Sequence, residues 1–344
     1  MPRKTQRNSI TSPEKTALIN KENMRLKDDF LSYLKSIQRS ERTIAGYDND
    51  LLIIFTYIME NLGNKDFARL TKRDISAIQN WMIHTNGNSP ARVRRLKAAM
   101  SSLSNYIENV LDDEPEFEGY RSIVRKIENP AMQSVRKKTV WDDDELDSLL
   151  ESLSESGDHK KACMVALAMC SGRRKAELCR FKVDDFKDEN LVCGGALYKT
   201  TEPMRTKGFG MGKYIHCYTL AKKFRPYLTA WLNQRAELGI ESEWLFPDQH
   251  DQSEQMSDTT MNSWAITFSR MTGEDFYWHS LRHYFTTHLA KAGIPDSAIT
   301  QIVGWESTDM CKLYTDIDAE DQIGMYFNEN GDIDTSNKKS LGNL

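Results

Sequence analysis

No apolar run in this 344-residue sequence approaches the ~20 residues needed to cross a bilayer. The opening stretch, Met1 to Ile10, is basic and polar with no apolar segment behind it, so no secretory leader is expected. Paired cysteines are missing as well. The six thiols stand at 163, 170, 179, 193, 217 and 311 without one CxxC, which argues against a cysteine-pair zinc site and a disulfide framework. A reducing, cytoplasmic setting is the expectation that follows. The chain also lacks any overall excess of positive charge, its formal net charge being −4.

That last absence disappears when the charge is mapped along the chain. Residues 1–140 hold 24 Lys/Arg against 17 Asp/Glu, and residues 141–344 hold 22 against 33. Two acidic stretches account for the deficit: Asp142 to Asp158, with eight acids and no Lys or Arg, and Asp316 to Leu344, with seven acids and two lysines. A nucleic-acid-binding face needs local positive charge, not a basic protein overall. Charge therefore permits DNA as a partner without establishing it. Hydrophobic residues make up 39% of the chain, enough for more than one core in a chain whose length suggests two domains.

No internal repeat or low-complexity run stands out. Residues 1–22 carry too few apolar positions for a packing face and read as a flexible arm. From Asn23 to Leu111 apolar residues recur every three or four positions, the spacing of amphipathic helices. Four helices are expected: over MRLKDDFLSYLKSI, from Ser40 or Thr43 to near Gly63, after Thr71 with Asp74 three residues on, and after Ser89 with Pro90 at the first helical position. They make a helical domain over 23–128. Asp112 to Lys138, acidic then basic and broken by Pro115 and Pro130, reads as a hinge whose linker is 129–139. A second domain is expected over 140–327, with an acidic tail at 328–344. It opens with the helix WDDDELDSLLESLSES and a buried helix over KKACMVALAMCSG. Glycines then bracket strand-like runs between 191 and 220, a small antiparallel hairpin, before helices resume at 221–238, 257–271, 279–292 and 295–303. The fold class is mainly α with a small antiparallel sheet, in two domains.

Three segments carry the chemistry: SGRRKAEL with Arg174 and Glu177, HSLRHYFTTHLAKAG with His279 and Arg282 on one helix face, and VGWESTDMCKLYT with Trp305 nine residues before Tyr314. This set resembles the tyrosine recombinase, or phage integrase, superfamily, whose signature is T-G-x-R-x-x-E-L, then H-x-L-R-H, then G-H or G-W, then a tyrosine nine residues on. The matching positions are Gly172, Arg174, Glu177 and Leu178; His279, Leu281, Arg282 and His283; Gly304, Trp305 and Tyr314. ERTIAGY, the Ser-Pro-started helix and NPA at 129–131 resemble the family's core-binding domain and linker, so the likeness covers most of 25–327.

The resemblance implies a two-domain DNA clamp that cuts and rejoins double-stranded DNA at specific sites through a 3′-phosphotyrosyl intermediate, integrating or excising a mobile element. Tyr314 is the expected nucleophile, since a phenol oxygen can hold the phosphoryl bond covalently. Arg174 and Arg282 would grip the non-bridging oxygens with forked hydrogen bonds. His279 would donate to the phosphate or move the tyrosine proton. Trp305, where histidine is commoner, would donate its indole N–H. Lys207, before the FGMG turn, is the chosen general acid, with Lys213 the second candidate. Glu177 would orient Arg174, and His283 would pack or support from behind. DNA contacts are expected from Arg92, Arg94, Arg95 and Lys97 on one helix, from Thr43, Lys72 and Arg73 at helix starts, and from Arg136, Lys137 and Lys138 in the hinge. No cofactor or metal is implied. The family works as a homotetramer on two DNA sites, with accessory DNA-bending proteins as further partners, and DAEDQIGMYF is a candidate for docking on a neighbour.

Other readings of the same residues stay open. His279, His283 and His288 could be read as metal ligands, since histidines four apart share a helix face, but there is no Glu in the HExxH arrangement and no obvious third ligand. Arg173 stands where the family usually has an apolar residue, so its side chain is displaced or the register altered. A type IB topoisomerase-like enzyme, or a non-catalytic DNA-binding protein of the same fold, would fit many of the same features.

Overall fold

The computed structural model describes residues 10–131, 139–206 and 212–314, with side chains through Cys311. The chain divides into two compact units, with described residues 10–131 in the first and 139–206 and 212–314 in the second.

The first unit is helical, and local sequence chemistry sets its boundaries. Helix α1 spans Pro13–Leu18 and α2 spans Lys21–Ser36, capped by Asn20. Helix α3, Glu41–Asn61, starts at Ser40, whose hydroxyl accepts from the Thr43 N–H. Helix α4, Lys72–Asn80, opens with a reciprocal capping box between Thr71 and Asp74, which satisfies two of the N–H groups a helix start leaves unpaired. Ser89 and Pro90 open α5, Pro90–Val110. Phe30, Leu51, Ile54, Phe55, Leu96 and Leu103 fill the core between α2, α3 and α5.

Two sequence expectations change here. The arm over 1–22 is not featureless beyond residue 10: Ser12 caps α1 and Ile19 packs into the core at 5% exposure. The stretch after α5 is less of a hinge than its prolines suggest. Short 3₁₀ turns at Pro115–Phe117 and Val124–Lys126 bury Phe117 and Val124 in the same core, because each turn offers one apolar side chain toward it.

The second unit forms around α7, His159–Ser171, in which every residue from Ala162 to Ser171 is buried. Each fully buried Leu, Met or Val contributes roughly 1.5–3 kcal/mol of transfer free energy. A helix apolar on all sides needs cover on all sides. That cover comes from α6 (Asp143–Glu155), α9 (Ala221–Glu237) and α11 (Trp278–Lys291). A four-residue helix α8, Lys175–Leu178, follows α7. The strands are β1 Leu191–Val192, β2 Leu197–Lys199, β3 Met204–Thr206, β4 Lys213–Ile215 and β5 Tyr218–Leu220. They make two antiparallel sheets where one hairpin was expected: a sheet ordered β1-β2-β5, and a β3-β4 hairpin that pairs Thr206 with Lys213. Helices α10 (Thr260–Thr272), α12 (Asp296–Val303) and α13 (Asp309–Tyr314) complete the unit, with α13 packed on α11 and α12. Its N-terminal edge is tied down early. Thr139 donates to the Asp275 carbonyl and the Trp141 indole donates to Ser280 at 2.7 Å. Among the described residues no helix is long and apolar enough to cross a membrane.

Candidate catalytic site

The site is built where α7 ends. Gly172 closes that helix at φ +59°, and a Cβ there would lie 2.3 Å from the Phe285 ring, so a glycine is required on both counts. The chain then extends through Arg174, the N-cap of α8. Glu177, buried, accepts from the Arg174 backbone N–H at 3.1 Å and from its Nη1 at 3.1 Å. A residue that is both cap and partner fixes the guanidinium against the start of α8.

Opposite this turn, α11 presents Arg282, only 1% exposed, whose Nη1 donates to the Gly172 carbonyl at 2.8 Å. Its guanidinium carbon lies 5.3 Å from the centre of the Trp305 ring, within cation–π range. The Thr286 hydroxyl caps the Arg282 carbonyl at 3.0 Å. His279 lies one turn before Arg282 on α11, with the His283 ring edge-on at 5.5 Å. Withdrawal from water, then the positive fields of His283, Arg282 and Arg174, push the His279 pKa down to about 4. His279 keeps an exposed face. Where water reaches that face, the cationic neighbours are the cause that remains. Both Arg174 and Arg282 thus lie close enough to His279 for their charge to act on it.

Trp305 follows Gly304, which caps α12 at φ +73°, where a Cβ would meet Ile215 at 2.1 Å. Beyond the turn, α13 is fastened by Cys311, buried, its Sγ within 3.6 Å of the Asp296 carbonyl and of Thr300 Oγ1. Tyr314 is the last described residue of α13; its side chain lies outside the described residues, as do Lys207 and the hinge residues Arg136, Lys137 and Lys138. Lys213 begins β4.

The remaining sequence candidates fall in different places. His288 stacks on Tyr284 at 5.7 Å and does not join a ligand set; among the described residues no three His, Cys, Asp or Glu could hold a metal ion. In the first unit, Thr43, Lys72 and Arg73 are exposed. Arg92 and Arg95 both pair with Asp50, at 2.6 and 2.9 Å. Lys97 departs from the expected DNA contact. It is 4% exposed, and its ammonium donates to the Ile127 and Glu128 carbonyls at 2.7 and 3.0 Å. Arg94 likewise donates twice to the Pro130 carbonyl. These two cations hold the start of the linker, because α5 receives the 127–130 segment along this side. Arg173, which sequence reading left undecided, is also 1% exposed and donates to the Ile302 carbonyl.

A helical unit joined to a second unit in which two arginines, a histidine and a tryptophan converge beside a tyrosine-bearing helix defines the class of the tyrosine-type site-specific DNA recombinases. Residues 139–321 match the phage integrase family, and the chain belongs to that family. It is 29% identical over 258 residues to the SPbeta prophage-derived recombinase-like protein YomM of Bacillus subtilis, covering 73% of this chain and 72% of that one. It is 21% identical over 310 residues to a tyrosine recombinase of Thermosipho africanus, covering 86% and 95%. Two solved structures share the fold. XerH bound to palindromic difH, in a post-cleavage complex, has a TM-score of 0.62 at 18% identity and covers 91% of this chain and 88% of that one. A lambda integrase dimer bound to a COC′ core site has a TM-score of 0.61 at 17% identity, covering 85% and 95%.

Proposed function

We propose that this protein cuts and rejoins duplex DNA at specific sites through a covalent 3′-phosphotyrosyl intermediate on Tyr314, and that it integrates or excises a mobile element. The observation that carries the reading is the convergence of Arg174, Arg282, His279 and Trp305 beside α13, the helix that carries Tyr314.

In the forward step the Tyr314 oxygen bonds to phosphorus and the bond from phosphorus to the 5′ oxygen breaks. The phenol proton leaves through His279, which is neutral at pH 7 and so able to accept it. Lys207 supplies a proton to the departing 5′ oxygen. Charge that builds on the non-bridging oxygens meets Arg174 and Arg282, each able to form two parallel hydrogen bonds. Attack by the 5′ hydroxyl of a partner duplex reverses the sequence and releases the tyrosine. The phosphodiester energy is conserved in the protein–DNA bond, so the exchange needs no nucleotide.

Similarity to a prophage-derived recombinase-like protein supports the mobile-element role. The solved neighbours bound to DNA sites support duplex DNA as partner. Four protomers on two sites, helped by DNA-bending proteins in the cytoplasm, complete the proposal.

The test uses a nicked duplex carrying the sequence this protein selects from a randomised DNA pool. The full chain is incubated with it in EDTA without nucleotide, denatured and examined for a covalent protein–DNA band. A band that Tyr314→Phe abolishes is expected. Specific binding without any band would leave a non-catalytic DNA-binding protein. Supercoil relaxation without strand exchange would point to a type IB topoisomerase-like enzyme.

A further inference from the structure

We propose that Arg173 is a positioning residue for strand cleavage: it holds the carbonyl end of α12 and thereby sets Trp305 and the helix that carries Tyr314. The proposal rests on the recombinase reading above and adds a residue that the family signature leaves unassigned.

Arg173 occupies the signature position between Gly172 and Arg174. Its side chain does not follow that of Arg174 toward His279. It turns inward, 1% exposed, and its Nη2 donates to the Ile302 carbonyl. Ile302 lies in the last turn of α12, whose final carbonyls have no partner within the helix. The negative end of the helix dipole favours a cation there. Nearby carbonyls are already engaged: Gly304 N–H donates to Gln301, and Trp305 N–H to Thr300. Arg173 supplies the donor that the Ile302 carbonyl needs.

The surroundings make this a joint and not a filler contact. A Cβ on Gly304 would stand 3.4 Å from Arg173 Nη1, so the guanidinium lies directly against the turn before Trp305. From the other side, Arg282 donates to the Gly172 carbonyl and faces the Trp305 ring. The two buried arginines thus cross-link the Gly172 turn to the α12–Trp305 segment, one through backbone and one through the indole.

A second observation separates this role from plain stabilisation. Arg173 Nε and Nη1 are buried and find no acceptor among the described residues. Buried donors without acceptors cost stability, and an apolar side chain of similar volume often does better in such a place. An arginine in this place therefore adds less to folding than to placement.

The experiment compares Arg173→Met and Arg173→Lys with the wild-type chain and Tyr314→Phe on the nicked duplex described above. Melting temperature, DNA affinity and the single-turnover rate of covalent adduct formation are measured on each. Arg173→Met strands the Ile302 carbonyl but removes two buried unpaired donors, so its melting temperature should stay near the wild-type value with DNA binding unchanged, while adduct formation slows by up to ~10²-fold, the scale of an ångström-sized misplacement. Arg173→Lys, which keeps one donor for the Ile302 carbonyl, should recover part of that rate. A neutral methylphosphonate at the scissile position removes the charge that Arg174 and Arg282 are proposed to meet. It should relieve Arg174→Ala and Arg282→Ala but not Arg173→Met. Relief of Arg173→Met would make Arg173 a phosphate ligand and overturn the positioning role. A melting temperature that collapses together with the rate would make it a packing group and also overturn it. Wild-type speed in Arg173→Met would sink this inference alone, whereas failure of the wild type to form adduct would take the recombinase reading with it.

Discussion

Glu177 holds Arg174 twice, accepting its backbone N–H and its Nη1, each at 3.1 Å, while itself buried at the start of α8. The same carboxylate therefore caps the start of α8 and aims a guanidinium. Glu177→Gln keeps a neutral acceptor for the backbone N–H but weakens the ionic contact, and adduct formation should slow by roughly tenfold. Glu177→Ala frees both donors, and the loss should approach the ~10²-fold that misplacing a transition-state donor costs. DNA affinity should change far less than rate in both variants. Single-turnover trapping beside a binding titration separates the two quantities; equal losses in both would argue that Glu177 serves the fold alone.

The helix starts at Ser40, Thr71 and Ser89 were legible because caps and capping boxes are local chemistry, readable without knowing the partner helix. The spacing of Arg174, His279, Arg282 and Trp305 was legible as a pattern. Their convergence depends on two positive-φ glycines, Gly172 and Gly304, set against Phe285 and Ile215, which no spacing predicts. The basic face of α5 is ambiguous for a related reason. Arg94 and Lys97 present the same periodicity whether they meet phosphates or the carbonyls of residues 127–130, and only the return of the chain along α5 decides between them. Arg173 was ambiguous on the same ground: an arginine in an apolar slot reads as surface until a carbonyl, here that of Ile302, is found for it. Asp50 carried a usable signal, an acid within the apolar run of α3, and it pairs with Arg92 and Arg95.

His279 predicts a pH dependence with a definite sign. Its pKa in the free protein lies near 4, below the ordinary value of about 6.5, first through burial and then through His283, Arg282 and Arg174. Its contribution to stability is therefore complete above pH ~6.5 and is lost as pH falls toward 4, because the unfolded chain takes up the proton first. A bound phosphate reverses the local field and raises the pKa. DNA affinity should accordingly tighten between pH 7.5 and 5.5 relative to His279→Gln, measured at fixed ionic strength. Parallel pH profiles for the two proteins would show that the phosphate does not reach His279.

Gly172 offers a test of the joint itself. Gly172→Ala must place a side chain at φ +59° and 2.3 Å from Phe285, whereas Gly157→Ala meets strain at φ +74° with nothing within 4 Å. The control should cost about 1 kcal/mol, the usual penalty for a non-glycine residue in the left-handed region. Gly172→Ala should cost about 2–4 kcal/mol, since overpacking adds about 1–3 kcal/mol to that strain. Thermal melting reads the difference, and equal shifts would mean that Phe285 moves aside freely.

Lys97 separates a linker anchor from a phosphate contact. Burial, then the nearby charge of Arg94, lowers the Lys97 pKa, and its ammonium is committed to the Ile127 and Glu128 carbonyls. Lys97→Met strands both acceptors and should destabilise the first unit by about 2–3 kcal/mol, the scale for buried groups left unpaired. It should leave the slope of log affinity against log salt unchanged, because no counterion release depends on it. Lys72→Ala and Arg73→Ala, at exposed positions, should show the opposite pattern, with little change in melting and a slope shallower by about 0.9 for each phosphate contact removed. A shallower slope in Lys97→Met at unchanged stability would restore Lys97 to the DNA-facing surface.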